Sequence, residues 1–331
     1  MTALNKRVIC RALFAVICFF AELHEARAGE ALFYDEPANS QQWLDLLHYQ
    51  KGRSLVDKKE AFFLSDVGYK DPKKELEATI EAFKDPDAQG DEHAVCRFPA
   101  RMDFILKNMP YKRADFVKTE CKKFEEFKVL APMDEVYLVF AAENNQTSAT
   151  AMGHLFLSFM GDSEGVVRRH AFSFFATEVD YESAEFYYRA LFDSIDGVYA
   201  LSPYYKKRDD YLINDGRIVW EIKLLLSEEQ RGFLHKHLWE LKQQKMHYSF
   251  IAHNCGTASI NLLKLVYPEM DLDAKKLFDT PIDYVLRFKD EDKIEKVNFI
   301  KDDVAEKPKG LDLLKAKPSS KVSDAYRYFD K

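Results

Sequence analysis

The residue best suited to covalent chemistry is Cys255, which follows His253 and Asn254 and stands just before an apolar run, 258–266. Apolar residues recur in that run at helical spacing, so Cys255 is predicted at or just before a helix N-terminus. There the unpaired backbone N–H groups and the helix dipole favour a thiolate. A nucleophilic cysteine needs such an environment and a histidine base within reach. The alternative is a structural thiol, because free cysteine is among the most buried residue types.

His154 is the leading candidate for the base. It follows a glycine at the predicted start of a strand, where a side chain can emerge at the end of a sheet beside another element. His253 ranks second, because its direction relative to the cysteine depends on a turn that the sequence does not define. A third polar group would fix the tautomer of the imidazole. The candidates for that role are Ser173, His170 and Asn145.

Two further features concern the substrate. The side chain of Asn254 could donate to an oxyanion, as could the backbone N–H of Cys255, but a plain helix-capping role for the asparagine is equally consistent with the sequence. Tyr204 and Tyr205 follow a proline and could line a groove for an extended or acyl substrate. Packing is the alternative for both tyrosines.

A metal site is the competing chemistry. His235 and His237 are two residues apart on a predicted helix and therefore do not share a face. His247, His253 and Cys255 could gather around zinc, yet no pair has the usual ligand spacing within one element. We expect neither a metal nor another cofactor.

The cysteines indicate an oxidising compartment. Cys10 and Cys18 lie in a leader-like segment, which leaves three cysteines in the rest of the chain. Cys96 and Cys121 lie in one polar region of helices and loops and are the natural disulfide pair. Cys255 is then the odd thiol, which in an exported protein is either an intermolecular partner or a free reactive thiol. Its place next to His253 and Asn254 favours reactivity.

Residues 1–28 are typical of a cleavable secretory signal. A basic start precedes an apolar core, Leu13 to Phe20, and Ala26-Arg27-Ala28 has the pattern of a cleavage site. The core is short for a permanent membrane anchor, which is the alternative. Removal of the segment takes away four basic and two acidic residues and changes the net charge from −7 to −9. We therefore expect an exported, periplasmic protein with no further membrane span and no nucleic-acid partner.

The remaining chain divides by composition. Residues 29–130 are predicted to be a mostly helical subdomain, and residues 131–290 intersperse strands and helices with no βαβ repeat, which is typical of an α+β core. Residues 291–331 are rich in lysine and aspartate with little periodicity. We expect them to form a polar tail.

Nine motifs occur in order along the chain. They are Trp43-Leu44-x-Leu46-Leu47-His48-Tyr49, Phe62-Phe63-Leu64-Ser65, Asp71-Pro72-x-x-Glu75-Leu76-x-Ala78-Thr79, Cys96-Arg97-Phe98-Pro99-Ala100-Arg101, Gly153-His154-x-Phe156-Leu157, Pro203-Tyr204-Tyr205, Arg217-x-x-Trp220-Glu221, Leu238-Trp239-Glu240-Leu241 and Asn254-Cys255. In this order they resemble the Lnb N-terminal periplasmic domain family, named after a bacterial acyltransferase that makes lyso-form lipoproteins. The resemblance extends over about residues 40–290.

The resemblance implies a circularly permuted papain-like core, similar to NlpC-type hydrolases and lecithin–retinol acyltransferases, with the histidine before the cysteine. His154 then matches the family histidine and Cys255 the nucleophile, whereas Ser173 stands where relatives carry asparagine and leaves the third position open. The implied function is a thiol acyltransferase or hydrolase acting on an acyl ester or amide of the cell envelope, in a phospholipid or lipoprotein. The acyltransferase of that name has membrane segments and this chain has none after its leader, so lipoprotein transacylation does not follow directly. A peptidoglycan-peptide or other amide hydrolase and a non-catalytic envelope scaffold remain as alternatives.

Overall fold

The computed structural model describes residues 33–142, 153–177, 183–192, 194–242, 244–273 and 280–301. The predicted leader and Asn145 lie outside these ranges. Within them helices and antiparallel strands are interspersed, which confirms the α+β class. A search of the described residues finds no helix with both the length and the apolarity needed to cross a membrane.

The N-terminal part is mainly helical. Its helices are α1 (Gln41–Leu46), α2 (Pro72–Lys84), α3 (Ala94–Arg97), α4 (Pro99–Asn108) and α5 (Lys122–Leu130), and a short hairpin of β1 (Tyr49–Gln50) and β2 (Arg53–Ser54) follows α1. Helix α2 begins as its sequence predicts, because Asp71 accepts a hydrogen bond from the N–H of Lys74 and proline occupies the first helical position. The predicted disulfide between Cys96 and Cys121 is confirmed and joins α3 to the residue before α5.

The C-terminal part is built on a seven-stranded antiparallel sheet. The strands are β3 (Glu135–Ala141), β4 (His154–Ser163), β5 (Val166–Ala176), β6 (Ile195–Pro203), β7 (Val219–Leu224), β8 (Lys245–Tyr248) and β9 (Ile294–Ile300), in the spatial order β8-β6-β5-β4-β3-β7-β9. Its helices are α6 (Ala184–Phe192), α7 (Tyr204–Asp209), α8 (Glu228–Leu241), α9 (Cys255–Lys264) and α10 (Pro281–Asp290). Strand β4 lies in the centre of the sheet, but its first residue, His154, pairs only with Ala141 of β3 because the β4–β5 pairs begin at Leu157.

The sheet is covered on both faces. On the helical face, Leu155, Leu157 and Phe159 of β4 pack in the main core, which also contains residues of α8, α9 and α10. On the other face, which we call the cover face, Phe156 packs with residues of α7 and of the π-helical turn Asp210–Asn214 that follows it. Alternate residues of a strand point to opposite faces. His154 therefore belongs to the cover face, two residues from Phe156.

Three element boundaries depend on features that the sequence pattern does not show. Within the predicted polar tail, β9 pairs with β7 as an edge strand whose charged residues hide its pattern, and residues 302–331 lie outside the described ranges. Tyr204 and Tyr205 begin α7 and do not extend β6, since Pro203 lacks the N–H needed to extend a ladder. Strand β8 ends at Tyr248.

Helix α8 joins the two parts of the molecule. Oε1 of Glu240 accepts hydrogen bonds from the backbone N–H groups of Ala100 (2.7 Å) and Arg101 (3.0 Å). Its Oε2 lies 2.9 Å from Nδ1 of His237, whose Nε2 lies 3.0 Å from Nε2 of His48. Burial raises the pKa of Glu240 to about 7 and lowers that of His237 to about 3. A C-terminal helix thus supplies polar partners inside the N-terminal part.

A buried ion pair organises the N-terminal core. Nη1 of Arg101 lies 2.6 Å from Oε1 of Glu75, and neither side chain is exposed. The carboxylate also accepts hydrogen bonds from the backbone N–H groups of Leu64 and Ser65, while the guanidinium donates to the carbonyl of Phe62. These partners satisfy two charges that would otherwise be costly to bury.

Candidate active site

Cys255 occupies the first position of α9, as predicted. The side chain of Asn254 caps this helix, with Oδ1 accepting from the N–H groups of Gly256 (2.9 Å) and Thr257 (3.1 Å). Its Nδ2 donates to the carbonyl of Phe250 at 2.9 Å, which ties the cap to the preceding turn. Of the two roles that the sequence left open for Asn254, the structure shows the capping role. The backbone N–H of Cys255 is the other oxyanion donor that the sequence offered.

The start of α9 is fastened to the end of β4 through Leu155. The β4–β5 pairs begin only at Leu157 and Phe172, so Leu155 has no β5 partner. Its carbonyl instead accepts a hydrogen bond from Ser259 of α9 at 3.2 Å, and its N–H is directed at the sulfur of Cys255. Backbone groups of a strand project within the plane of the sheet. The thiol therefore lies at the edge between the two faces, beside the residue that follows His154.

His154 depends on the glycine before it. Gly153 has a φ of +74°, and a Cβ there would lie 2.6 Å from a ring carbon of Phe140 and 2.8 Å from the carbonyl oxygen of Ala141. Only glycine fits this turn into β4. The imidazole lies above Tyr211 of the cover face, with ring centroids 6.0 Å apart, and its buried Nε2 has no hydrogen-bond partner among the described residues.

Both members of the predicted pair are neutral in this environment. Burial raises the pKa of the Cys255 thiol, although the N–H groups of Leu155 and Gly256 and the charge of Lys207 act in the opposite direction. Burial, with the nearby charges of Lys207 and Arg217, lowers the pKa of His154 to about 3. The sequence predicted a lowered thiol pKa from the helix N-terminus alone, and that prediction is wrong in direction because desolvation is the larger effect.

Lys207 is a component that sequence reasoning missed. It lies on α7 and is half-buried, with Nζ 5.4 Å from the ring centroid of Tyr211 and 6.0 Å from that of Phe175. Both Lys207 and Tyr211 interact electrostatically with Cys255. The only signal in the sequence is a run of three basic residues after the tyrosine pair, which is far from Cys255 along the chain.

Arg217 is the second cation near the histidine. It is buried, its guanidinium lies 5.3 Å from the Tyr211 ring centroid, and its Nε lies 2.9 Å from a carboxylate oxygen of Asp215. The resemblance had singled out Arg217 only as part of a motif. Its charge is therefore balanced by Asp215, in contrast to that of Lys207.

One of the two described third-group candidates lies on the same face of the sheet as His154. Ser173 lies on the cover face of β5, two residues from Ala171, and its buried Oγ has no hydrogen-bond partner. His170 lies opposite Phe159 in the β4–β5 register, on the helical face and several residues from the end of β4 that holds His154. It is not part of this site.

Three other predicted residues differ from one another in how far they are exposed. Tyr204 is buried and donates a hydrogen bond to Glu221, so it anchors the start of α7 and does not line a groove. Tyr205 is 55% exposed and remains available for contact. His253 is buried against Phe174, and neither of its ring nitrogens has a partner.

The histidines of α8 are not arranged for metal binding. His235 packs on Phe127, whereas His237 pairs with His48. Across the described ranges, no group of three or more histidine, cysteine or acidic side chains is placed to hold a metal ion.

Comparison with known families identifies the C-terminal part. Residues 123–290, half of the chain, match the Lnb N-terminal periplasmic domain. The chain belongs to this family. The family match is shorter than the 40–290 expected from the motifs, because residues 36–108 match a separate domain of unknown function. Neither the curated proteins nor the solved structures contain a match. Membership in a periplasmic domain family supports an exported, envelope-associated role.

Proposed function

We propose that the protein is an exported thiol acyltransferase or hydrolase that acts on an acyl ester or amide of the cell envelope. Cys255 is the nucleophile and His154 the base, in a permuted papain-like arrangement. The observation that carries this proposal is the placement of the one free cysteine of the described chain at a capped helix N-terminus, against the N–H of Leu155 next to His154. A packing role would not require the sulfur at the end of the sheet.

The neutral pair defines how the reaction begins. The Cys255 sulfur attacks the acyl carbonyl as its proton passes to Nε2 of His154, and the backbone N–H of Cys255 donates to the developing oxyanion. Collapse breaks the bond to the leaving group, which takes the proton from His154 and departs as an alcohol or amine. A thioester on Cys255 remains. An acceptor amine, alcohol or water then attacks it and restores the thiol.

The surroundings of the His154 imidazole suit its role as the base. His154 is held neutral by burial and by two nearby cations, so it has a free lone pair when substrate arrives. Its unpartnered Nε2 needs no other hydrogen bond to be broken first. The buried, unpartnered Ser173 hydroxyl on the same face is the remaining candidate for orienting the ring.

Intact-protein mass spectrometry tests the proposal. The protein without its leader is exposed to diacyl phospholipid vesicles or to a diacylated lipopeptide, and wild type is compared with Cys255→Ser and His154→Ala. We expect wild type to gain the mass of one acyl chain on Cys255 and expect no gain in Cys255→Ser. His154→Ala should accumulate the adduct much more slowly while its thiol remains present.

Other outcomes distinguish the alternatives. Release of peptide from peptidoglycan stems by wild type, lost in Cys255→Ser and without an acyl adduct, would replace acyl transfer with peptide hydrolysis. If neither lipid nor peptide is turned over and the thiol labels no faster than a buried one, the scaffold interpretation is correct.

A further inference from the structure

Lys207 is held in place by the packing of the cover segment, residues 204–214. At the start of this segment Tyr204 donates to Glu221 of β7, and the guanidinium of Arg169 stacks on the Tyr204 ring with its carbon 3.9 Å from the centroid. Arg169 also pairs with Glu221 at 2.9 Å. Helix α7 is therefore anchored to two strands of the sheet, and a lysine three residues further on has a defined position.

The ammonium group of Lys207 is aimed at the site. It lies over the ring of Tyr211, the same ring that stacks near His154. In the part of the chain that the structure describes, no carboxylate lies within ion-pair distance of its Nζ, although Asp210 and Asp215 contribute more distant attraction. A half-buried lysine with no acidic partner is uncommon, because its charge is costly to desolvate.

Among the described charged and titratable groups near the thiol, Lys207 is the cation that is available to balance a negative charge on the sulfur. His154 is neutral and Tyr211 is protonated, since burial lowers the pKa of the first and raises that of the second. Arg217 is paired with Asp215. Among the described residues, Lys207 has no carboxylate within ion-pair distance, and its charge interacts electrostatically with the Cys255 sulfur.

We propose that Lys207 is a positioning residue whose charge stabilises the negative charge that forms on the Cys255 sulfur. The inference rests on the proposed function, because it assigns to the cover segment a part in activating that nucleophile. In this arrangement the cysteine helix packs on the helical face and the lysine comes from the cover face. Tyr211, over which the lysine lies, is next to His154 at the start of β4.

Alkylation kinetics test the proposal without knowledge of the substrate. The rate of reaction of the full chain without its leader with iodoacetamide is measured from pH 6 to pH 10, with Cys255→Ser as the blank. Lys207→Met is compared with Lys206→Met, an exposed neighbour on the same helix, and with Lys207→Arg. Far-UV circular dichroism and the thermal midpoint verify that each variant is folded.

We expect Lys207→Met to shift the midpoint of the alkylation profile upward by about one pH unit, which slows the reaction at fixed pH about tenfold. Lys206→Met should superimpose on wild type, and Lys207→Arg should recover most of the rate. A Lys207→Met profile that superimposes on wild type would overturn the inference and leave the proposed nucleophile intact. A wild-type thiol that does not react by pH 10 would overturn both.

Discussion

The cap of α9 has a stability role and a chemical role, and substitutions of Asn254 should separate them. Asn254→Ala removes two hydrogen bonds accepted from Gly256 and Thr257 and one donated to Phe250. Loss of an asparagine cap costs about 1 kcal/mol, and loss of a further half-buried hydrogen bond adds about 1 kcal/mol. We therefore expect the free energy of unfolding to fall by about 2 kcal/mol in urea denaturation.

The chemical role should show in the reactivity of Cys255. Without the cap the first turn of α9 frays, so the N–H groups that favour the thiolate lose their orientation, and iodoacetamide labelling at pH 8 should slow. Asn254→Asp keeps the acceptor for both N–H groups and should retain most of the stability. Its negative charge beside the sulfur opposes thiolate formation, so labelling should slow again.

A matched control comes from α8. Ser227 caps that helix by accepting from the N–H of Gln230, and it lines a cleft with Leu265 and Val266, beyond the far end of α9. Ser227→Ala should cost about 1 kcal/mol and leave the labelling rate of Cys255 unchanged. If Asn254→Ala loses stability but labels as fast as Ser227→Ala, the cap does not position the thiol and the reasoning fails.

Two further predictions concern the buried charges. Arg101→Met should lower the free energy of unfolding by about 3–5 kcal/mol at pH 8, because it leaves the Glu75 carboxylate buried without its cation. The loss should be smaller at pH 5, where Glu75 can take up a proton, and the double variant with Glu75→Gln should recover much of it; equal losses at both pH values would contradict this account. Burial holds the pKa of His253 at about 3, so the unfolded chain binds more protons below pH 6.5 and stability falls as the pH drops. His253→Phe should therefore flatten the decline of the thermal midpoint between pH 7 and pH 4.5. The raised pKa of Glu240 has the opposite effect on stability over this range in both proteins. An unchanged slope would exclude His253 as a contributor.

Local signals in the sequence were sufficient for the elements that hold the site. The Asn254-Cys255 pair before an apolar run predicted the start of α9, and Ser227 with Gln230 is a capping-box pattern at the start of α8. Each is a cap within four residues of the helix that it begins, so no distant partner decides the outcome. The odd number of cysteines likewise predicted the disulfide and the free thiol.

Contacts between segments that are distant in the chain could not be predicted from the sequence pattern. Lys207 and Cys255 are far apart in the chain and interact electrostatically only because α7 and the turn after it pack on the cover face of the sheet. The same packing buries Tyr204, which the sequence offered as a groove residue. The predicted direction of the Cys255 pKa shift was wrong for a related reason. Desolvation of the thiol depends on tertiary packing, whereas the effect of the helix N-terminus can be predicted from local sequence.

The contacts of α8 have a consequence for how this protein can evolve. The segments that match two separate domain families share one interior, in which Glu240 holds the backbone at Ala100 and His237 meets His48. Exchange of either segment for one that lacks these partners would leave a buried carboxylate or imidazole unmatched. We therefore expect recombination between residues 108 and 123, where one family match ends and the other begins, to be selected against.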